Sequence, residues 1–330
     1  MPGSITHYLF AKDCLSKLDD TNIKNIISHN MDLYILGSYG PDFFAYYNYF
    51  PFISRKDIST LSDLIHDQYI SLFIKHMISY STDTSCVRYA FNNPNFFDIT
   101  ISYIYGFLSH YALDKLTHPY ISSLKFNLRN QYKMKTSKSL HKSIETHIDA
   151  LLLYKFKNLN PYEFNEYTRF NLSPEKLLII CDMYKFLIKD IFNKSILYSD
   201  VSKCIDMFTR TEKRLNSSNK FYSSPYLYIK KIVSKTSYID SKIYSKHKYC
   251  INDLLNEDRS KWKDPFSTRV SSCSLIDIYY DSINFYLELV NILSLYLNNK
   301  STMLDILSKI NDKSFFTNQN EKIDSKNLYQ

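Results

Sequence analysis

The sequence predicts an all-α protein, folded as a multi-helix bundle, and three observations carry this prediction. Apolar residues recur at helical spacing through most of the chain. The 330 residues include only 4 glycines, and none follows Gly106, whereas a β-rich fold of this size needs glycine in many turns. The hydrophobic fraction of 45% and the charged fraction of 22% are typical of a globular protein and exclude a disordered chain.

The predicted helices follow one another from the amino terminus. The first two cover about 4–17 and 22–28, and a structured loop is predicted for LGSYGPDFFAYYNYFPF, which holds two glycines and two prolines. Amphipathic helices follow near 58–80, 97–118, 136–156, 174–194, 198–215 and 272–297. We expect Pro119 to end the helix over 97–118, because the residue before a proline is pushed out of the α region. Ser173 is the expected N-cap of the helix that starts at Pro174.

The charge balance favours anionic partners. Lys and Arg number 41 against 33 Asp and Glu, which gives a net charge of +8. Phosphate esters, nucleic acid and acidic lipid surfaces all fit such an excess. Because no run of five basic residues occurs, we do not expect a nucleic-acid-binding tail.

The cellular compartment is predicted from cysteines and from the amino-terminal segment. The six cysteines are scattered along the sequence, and no two of them form a CxxC motif. This spacing indicates buried thiols in a reducing compartment, and it argues against a disulfide framework or a zinc–thiolate site. MPGSITHYLFAKDC lacks the basic start and long apolar run of a signal peptide, so we expect a cytoplasmic protein. The most apolar late stretch carries Asp277, Asp281 and Glu288, which predicts a core helix and no transmembrane segment.

Histidines are concentrated in the amino-terminal half, and three candidate ligands share one helix there. Eight of the nine histidines precede residue 148. His110, Asp114 and His118 are spaced at i, i+4 and i+8. From each to the next, the side chain is rotated by only about 40° around the helix axis and lies about 6 Å further along it. Because His and Asp are good zinc ligands and a carboxylate can bridge two ions, this stripe predicts a metal site.

A second helix and the segments before it supply further candidates. His141 and Glu145 share one helix face at i, i+4 spacing. His7, Asp42 and His66 lie upstream, which makes a set large enough for more than one ion. We place these zinc-binding catalytic helices in residues 1–157. Residues 158–330 form a helical carboxyl half, packed into the same domain or extending it.

A structural reading of the same residues stays open. A single His-x3-Asp pair occurs often by chance on helices, as a surface pair or a capped histidine. We interpret His147 and Asp149 as surface residues, because His147 points away from the His141 face. Trp262 is interpreted as a packing residue.

The motifs taken together resemble a known family. The string H-x3-D-x3-HP in GFLSHYALDKLTHPYI, followed by H-x3-E in HKSIE, resembles the zinc-dependent phospholipase C family of bacteria. The opening MPGSITHYLFAKDC and the loop LGSYGPDFFAYY are also similar to that family, so the resemblance covers about residues 2–157. It implies the all-helical, three-zinc architecture that these phospholipases share with single-strand-specific nucleases.

The resemblance also implies a role for each candidate residue. One zinc would be held by Asp42, His66, His110 and Asp114. A second, more exposed zinc would be held by His118, His141 and Glu145. A third ion, bridged to the first by Asp114, would be held by His7 and the chain's amino group, which removal of Met1 would place on Pro2.

These roles predict a phosphodiester hydrolase in which two to three Zn²⁺ ions activate water and Asp42 takes its proton. The implied substrate is a phospholipid, with possible contact at a membrane surface, or another phosphodiester. A nuclease is the near alternative, since the metal core alone does not specify which groups the phosphate joins. An HD-type metal phosphohydrolase is another, because His66 is followed by Asp67, and a non-catalytic zinc-stabilised helical protein is a third.

Overall fold

The computed structural model describes residues 2–47, 58–83, 93–132, 137–216 and 253–310, and helices make up most of these ranges. The all-α prediction is therefore confirmed. Within the described ranges the strands are β1 (Trp262–Lys263) and β2 (Val270–Ser271), which pair as one short antiparallel hairpin with Trp262 opposite Ser271.

The helices run in chain order as follows. They are α1 (Ser4–Lys17), α2 (Thr21–His29), α3 (Met31–Ser38), α4 (Thr60–Asp67), α5 (Ile70–Thr82), α6 (Phe96–Tyr132), α7 (Ser137–Lys157), α8 (Pro174–Phe192), α9 (Tyr198–Asn216), α10 (Leu275–Leu297) and α11 (Met303–Ile310). Short 3₁₀ helices cover Asp42–Tyr46, Pro161–Glu163 and Glu166–Thr168.

Helix α6 forms the centre of the bundle. It has 37 residues, which corresponds to a length of about 55 Å. Every residue over 99–114 is buried, so this part of the helix is covered on all sides. Helices α3 and α10 make the most extensive contacts with it, and α1, α5 and α7 pack against it as well. The main hydrophobic core includes residues from both halves of the chain, from Phe10 to Ile310.

Two glycines allow α3 and α6 to approach closely. A Cβ atom at Gly37 would overlap the carbonyl oxygen of Tyr103, and a Cβ atom at Gly106 would overlap the carbonyl oxygen of Tyr34. The two glycines face each other, so the backbones meet without side chains between them. This contact fixes the position of α3 along the axis of α6. It therefore also fixes where the turn after α3 begins.

The prediction that Pro119 ends its helix was wrong. Helix α6 continues through Pro119 to Tyr132, although an internal proline removes one backbone hydrogen bond and costs about 3 kcal/mol. Packing beyond the proline opposes that cost: Tyr120 lies against Trp262 and donates a hydrogen bond to the carbonyl of Leu254. His118, which directly precedes the proline, lies on this helix as predicted, on the same stripe as the candidate residues before it.

Other predicted boundaries differ in detail. The helix predicted over 58–80 is two helices, α4 and α5, because Tyr69 between them adopts a left-handed conformation with φ of 54°. The predicted loop contains the end of α3 and the 3₁₀ helix Asp42–Tyr46, and its residues 48–52 lie outside the described ranges.

Two predictions about single residues are confirmed. Ser173 caps α8, since its side chain accepts a hydrogen bond from the amide of Lys176. Trp262 is buried in a secondary core, which confirms its interpretation as a packing residue.

We expect Gly106→Ala to lower the free energy of unfolding by about 1–3 kcal/mol, because the added methyl group overpacks the contact between α3 and α6. Urea unfolding followed by circular dichroism measures this change. Asn127→Ala, at an exposed position of the same helix, is the matched control and should change stability little. A Gly106→Ala protein as stable as the wild type would contradict a close glycine contact between the two helices.

Candidate metal centre

Helix α6 presents three candidate ligands along one stripe. His110, Asp114 and His118 are buried, with 0%, 0% and 3% of their surfaces exposed. The stripe faces α1 and α7, which both pack against α6. A row of buried polar side chains on a central helix must find polar partners from the neighbouring helices.

Asp114 lies at the centre of the first group of ligands. His7 of α1 places Nε2 at 3.2 Å from Oδ1 of Asp114, while His66 of α4 and His110 place their Nε2 atoms at 3.6 and 3.3 Å from Oδ2. The rings of His7 and His110 stack with centroids 4.5 Å apart. Three histidines from three helices therefore converge on one buried carboxylate.

Asp42 approaches the same group from the turn after α3. Its Oδ1 lies 3.6 Å from Nε2 of His66, and 19% of its side chain is exposed. The turn passes through Gly40, whose φ is 50° and where a Cβ atom would overlap the ring of His110. Glycine is needed there for both reasons, because it tolerates positive φ and leaves room for the imidazole.

Helix α9 holds the 3₁₀ helix that begins with Asp42. Tyr46 donates a hydrogen bond to the buried carboxylate of Glu212, and Tyr47 donates one to Oδ1 of Asp200 at 2.9 Å. These two carboxylates were not predicted from the sequence, since nothing in the local pattern links them to residues more than 150 positions earlier. They position Asp42 from the carboxyl half of the chain.

A second group lies further along α6 and α7. The rings of His118 and His141 meet edge to face with centroids 5.5 Å apart. His141 places Nε2 at 2.9 Å from Oε1 of Glu145, and the ammonium of Lys142 lies 2.7 Å from Oε2 of the same carboxylate. Lys142 is an additional charged residue of this group that was not predicted from the sequence.

Two triads of described residues have ligand atoms that all lie within 4.8 Å of one another. They are His7, His110 and Asp114, and Asp42, His66 and His110. Since His110 belongs to both, the two triads are adjacent. The structure thus brings five of the eight predicted site residues into one cluster and places His118, His141 and Glu145 in the second group.

Burial and charge hold these side chains in the protonation states that metal ligands need. Burial lowers the pKa of His110, His118 and His141, so their imidazoles are neutral near pH 7. Burial alone would raise the pKa of Asp114, but the neighbouring histidines hold it well below its usual value. Burial would likewise raise the pKa of Glu145, and Lys142 instead keeps it low. Neutral imidazoles and ionised carboxylates are the forms that bind cations.

His66 and Asp42 differ from this group. Burial alone would lower the pKa of His66, but its contacts with Asp114 and Asp42 outweigh burial and raise it. Burial raises the pKa of Asp42, partly opposed by the charge of His66. A raised pKa makes the Asp42 carboxylate a better proton acceptor than an exposed aspartate.

The residues fit a metal ion. Within the described ranges, neither ring nitrogen of His7 and neither carboxylate oxygen of Asp114 has a hydrogen bond of acceptable geometry, although both side chains are buried. Leaving such groups unsatisfied costs about 1–3 kcal/mol each. A cation among them would use one ring nitrogen of His7 and a carboxylate oxygen of Asp114 as ligands, and nitrogen with carboxylate oxygen is a donor set that suits zinc.

Three further residues, Asp67, His147 and Asp149, were assigned roles outside the metal site from the sequence, and the structure shows where each one lies. Asp67 is exposed whereas His66 is buried, and neither triad of candidate ligands includes Asp67. The interpretation of Asp149 as a surface residue was wrong: only 1% of its surface is exposed, and it accepts hydrogen bonds from the start of α1. His147 is partly buried and its Nδ1 lies 2.6 Å from the carbonyl of Ser143, so it does not join the site. Met1 lies outside the described ranges.

The fold and the cluster together define a class, an all-helical protein with a buried histidine–carboxylate centre that could hold metal ions. Comparison with models of known protein families identifies one family within this class. The model described as zinc dependent phospholipase C matches residues 6–201, more than half of the chain. The chain therefore belongs to the zinc-dependent phospholipase C family, as its motifs indicated.

Other comparisons add two facts. Neither curated proteins nor solved structures give a significant match to this chain. Across the described ranges, no helix combines the length and the apolar content needed to cross a membrane.

We expect added zinc to stabilise metal-depleted wild-type protein by about 2.7 kcal/mol at a free concentration 100 times its dissociation constant. Thermal unfolding with and without zinc measures this. His66→Ala should reduce the stabilisation, because His66 lies in the cluster, and the neighbouring Asp67→Asn should leave it unchanged. Loss of the stabilisation in Asp67→Asn as well as in His66→Ala would favour an HD-type site and contradict a ligand set that includes His66 without Asp67.

Proposed function

We propose that this protein is a zinc-dependent phosphodiester hydrolase that acts on phospholipids in the manner of a phospholipase C. The observation that carries the proposal is the convergence of His7, His66 and His110 on the buried Asp114 carboxylate. Family membership supports zinc as the metal and phospholipid as the substrate class.

The ligands of the proposed ions follow the two groups of side chains. Asp42, His66, His110 and Asp114 would hold one zinc. His118, His141 and Glu145 would hold a second, and His7 together with Asp114 would hold a third. Bound zinc would supply Lewis acidity and neutralise the negative charge that develops on the phosphate during hydrolysis.

Asp42 is proposed as the general base. Its side chain is 19% exposed, while His66 and His110, the other members of its triad, are fully buried, so water approaches Asp42 more readily than it approaches the two histidines. Burial among neighbouring groups raises its pKa, which favours transfer of a proton from water to its Oδ atom. The carboxylate that accepts the proton therefore lies at the less buried side of the cluster.

Lys142 is proposed to increase the affinity of the site for anions. Its ammonium lies beside Glu145 in the second group, and 16% of the side chain is exposed. A partly desolvated cation next to the proposed second ion adds positive potential where a phosphodiester would bind. The net charge of +8 acts in the same direction over longer distances.

The proposal predicts that His110→Ala lowers zinc-dependent hydrolysis by on the order of 100- to 1000-fold, because one residue shared by both triads is lost. The assay supplies short-chain phosphatidylcholine to zinc-loaded protein and measures the diacylglycerol released. Helix content measured by circular dichroism should stay near the wild-type value. His29→Ala, which removes an exposed histidine of α2, is the matched control and should retain full activity.

Three results would contradict the proposal. Full activity of His110→Ala at complete metal occupancy would show that the cluster is not the active site. Wild-type protein that cleaves single-stranded DNA or RNA but no phospholipid would identify a nuclease. Full zinc occupancy without hydrolysis of either substrate would identify a structural zinc protein.

A further inference from the structure

The amino end of α1 is capped by a side chain from another helix. Its own N-cap residue, Gly3, has no side chain that could accept a hydrogen bond. The carboxylate of Asp149 on α7 accepts instead from the amides of Ile5 and Thr6, at 3.2 and 3.0 Å, and from the hydroxyl of Thr6 at 2.6 Å. This is the role that a local Ser or Asp performs at most helix starts.

Gly3 and Asp149 fit each other closely. A Cβ atom at Gly3 would overlap the carboxylate of Asp149. The backbone of Gly3 is extended, with φ of −83° and ψ of −179°, so the need for glycine at this position comes from space and not from conformation. The cap thus requires both a glycine at position 3 and a carboxylate at position 149.

The buried charge of Asp149 is compensated by this contact. With 1% of its surface exposed, the carboxylate has lost its hydration, which is costly without polar partners. Three donors and the positive end of the α1 dipole supply that compensation. The contact is therefore strong enough to fix where α1 starts relative to α7.

Both helices joined by this contact carry candidate ligands. On α1, His7 directly follows Thr6, whose amide and hydroxyl both bind Asp149. On α7, His141, Glu145 and Asp149 follow one another at intervals of four residues, which is about one helical turn. The contact therefore sets the position of His7 with respect to the second group of ligands.

We propose that Asp149 is a positioning residue that holds His7 at the metal centre and so sets the affinity of the ion that His7 binds. The inference rests on the proposed zinc site. It requires that loss of the Asp149 carboxylate act through His7, whose Nε2 lies 3.2 Å from Asp114. Hydrogen-bond partners that orient a ligand typically contribute 10- to 100-fold to metal affinity.

The test compares zinc binding by Asp149→Asn with that of the wild type, using competition with a fluorescent chelator. We expect the affinity of one ion to fall by about 10- to 100-fold while the other ions bind as before. The matched control is Asp20→Ala, because Asp20 caps α2 in the same way, through the amides of Asn22 and Ile23. Replacing an N-cap by alanine weakens the cap, and this control should not change zinc binding.

A double-mutant cycle separates positioning from a general loss of stability. In the background of His7→Ala, Asp149→Asn should have no further effect on zinc affinity, since the residue through which it acts is already absent. Equal loss of affinity in both backgrounds would overturn the inference. So would an unchanged zinc affinity of Asp149→Asn in otherwise wild-type protein.

A second variant covers the case in which Asp149→Asn does not fold. Asp149→Ala combined with Gly3→Ser moves the cap to its usual place on α1, since the smaller residue at 149 leaves room for the serine side chain. We expect this pair to restore folding and part of the lost affinity, and failure to restore either would overturn the inference. Wild-type protein that binds no zinc would instead overturn the proposed function and this inference together.

Discussion

The arrangement of helices around the site depends on the buried, ionised carboxylate of Asp114. It lies on the central helix, and histidines from α1, α4 and α6 approach its two oxygens. An isolated carboxylate at that depth would be neutralised or expelled, because burial alone raises its pKa. Helices α1 and α4 must therefore pack so that His7 and His66 reach this one point.

Elements far apart in the chain support that arrangement from outside the cluster. Asp149 fixes the start of α1, and Glu212 receives the hydroxyl of Tyr46 beside the turn that carries Asp42. Glu212 lies beyond the matched residues 6–201, on the final turns of α9. The carboxyl half thus contributes to the site by holding its ligands in place.

Local spacing made much of the site predictable. His110 and Asp114, one helical step apart, had to share a helix face wherever the bundle placed that helix. Asp149 was misjudged because the amides that it caps lie more than 140 residues earlier, and no local pattern encodes such a contact. The predicted helix end at Pro119 was wrong for a related reason, because the packing of side chains distant in sequence outweighs the local preference of a proline.

Zinc content is the most direct test of a multinuclear metal centre, measured per chain on protein purified without chelator, in the wild type and in His118→Ala. We expect about two to three ions in the wild type and about one fewer in the variant, because His118 belongs to the second group of ligands only. No bound metal, together with a stability that added zinc does not change, would contradict such a centre and leave the buried histidines with a structural role alone.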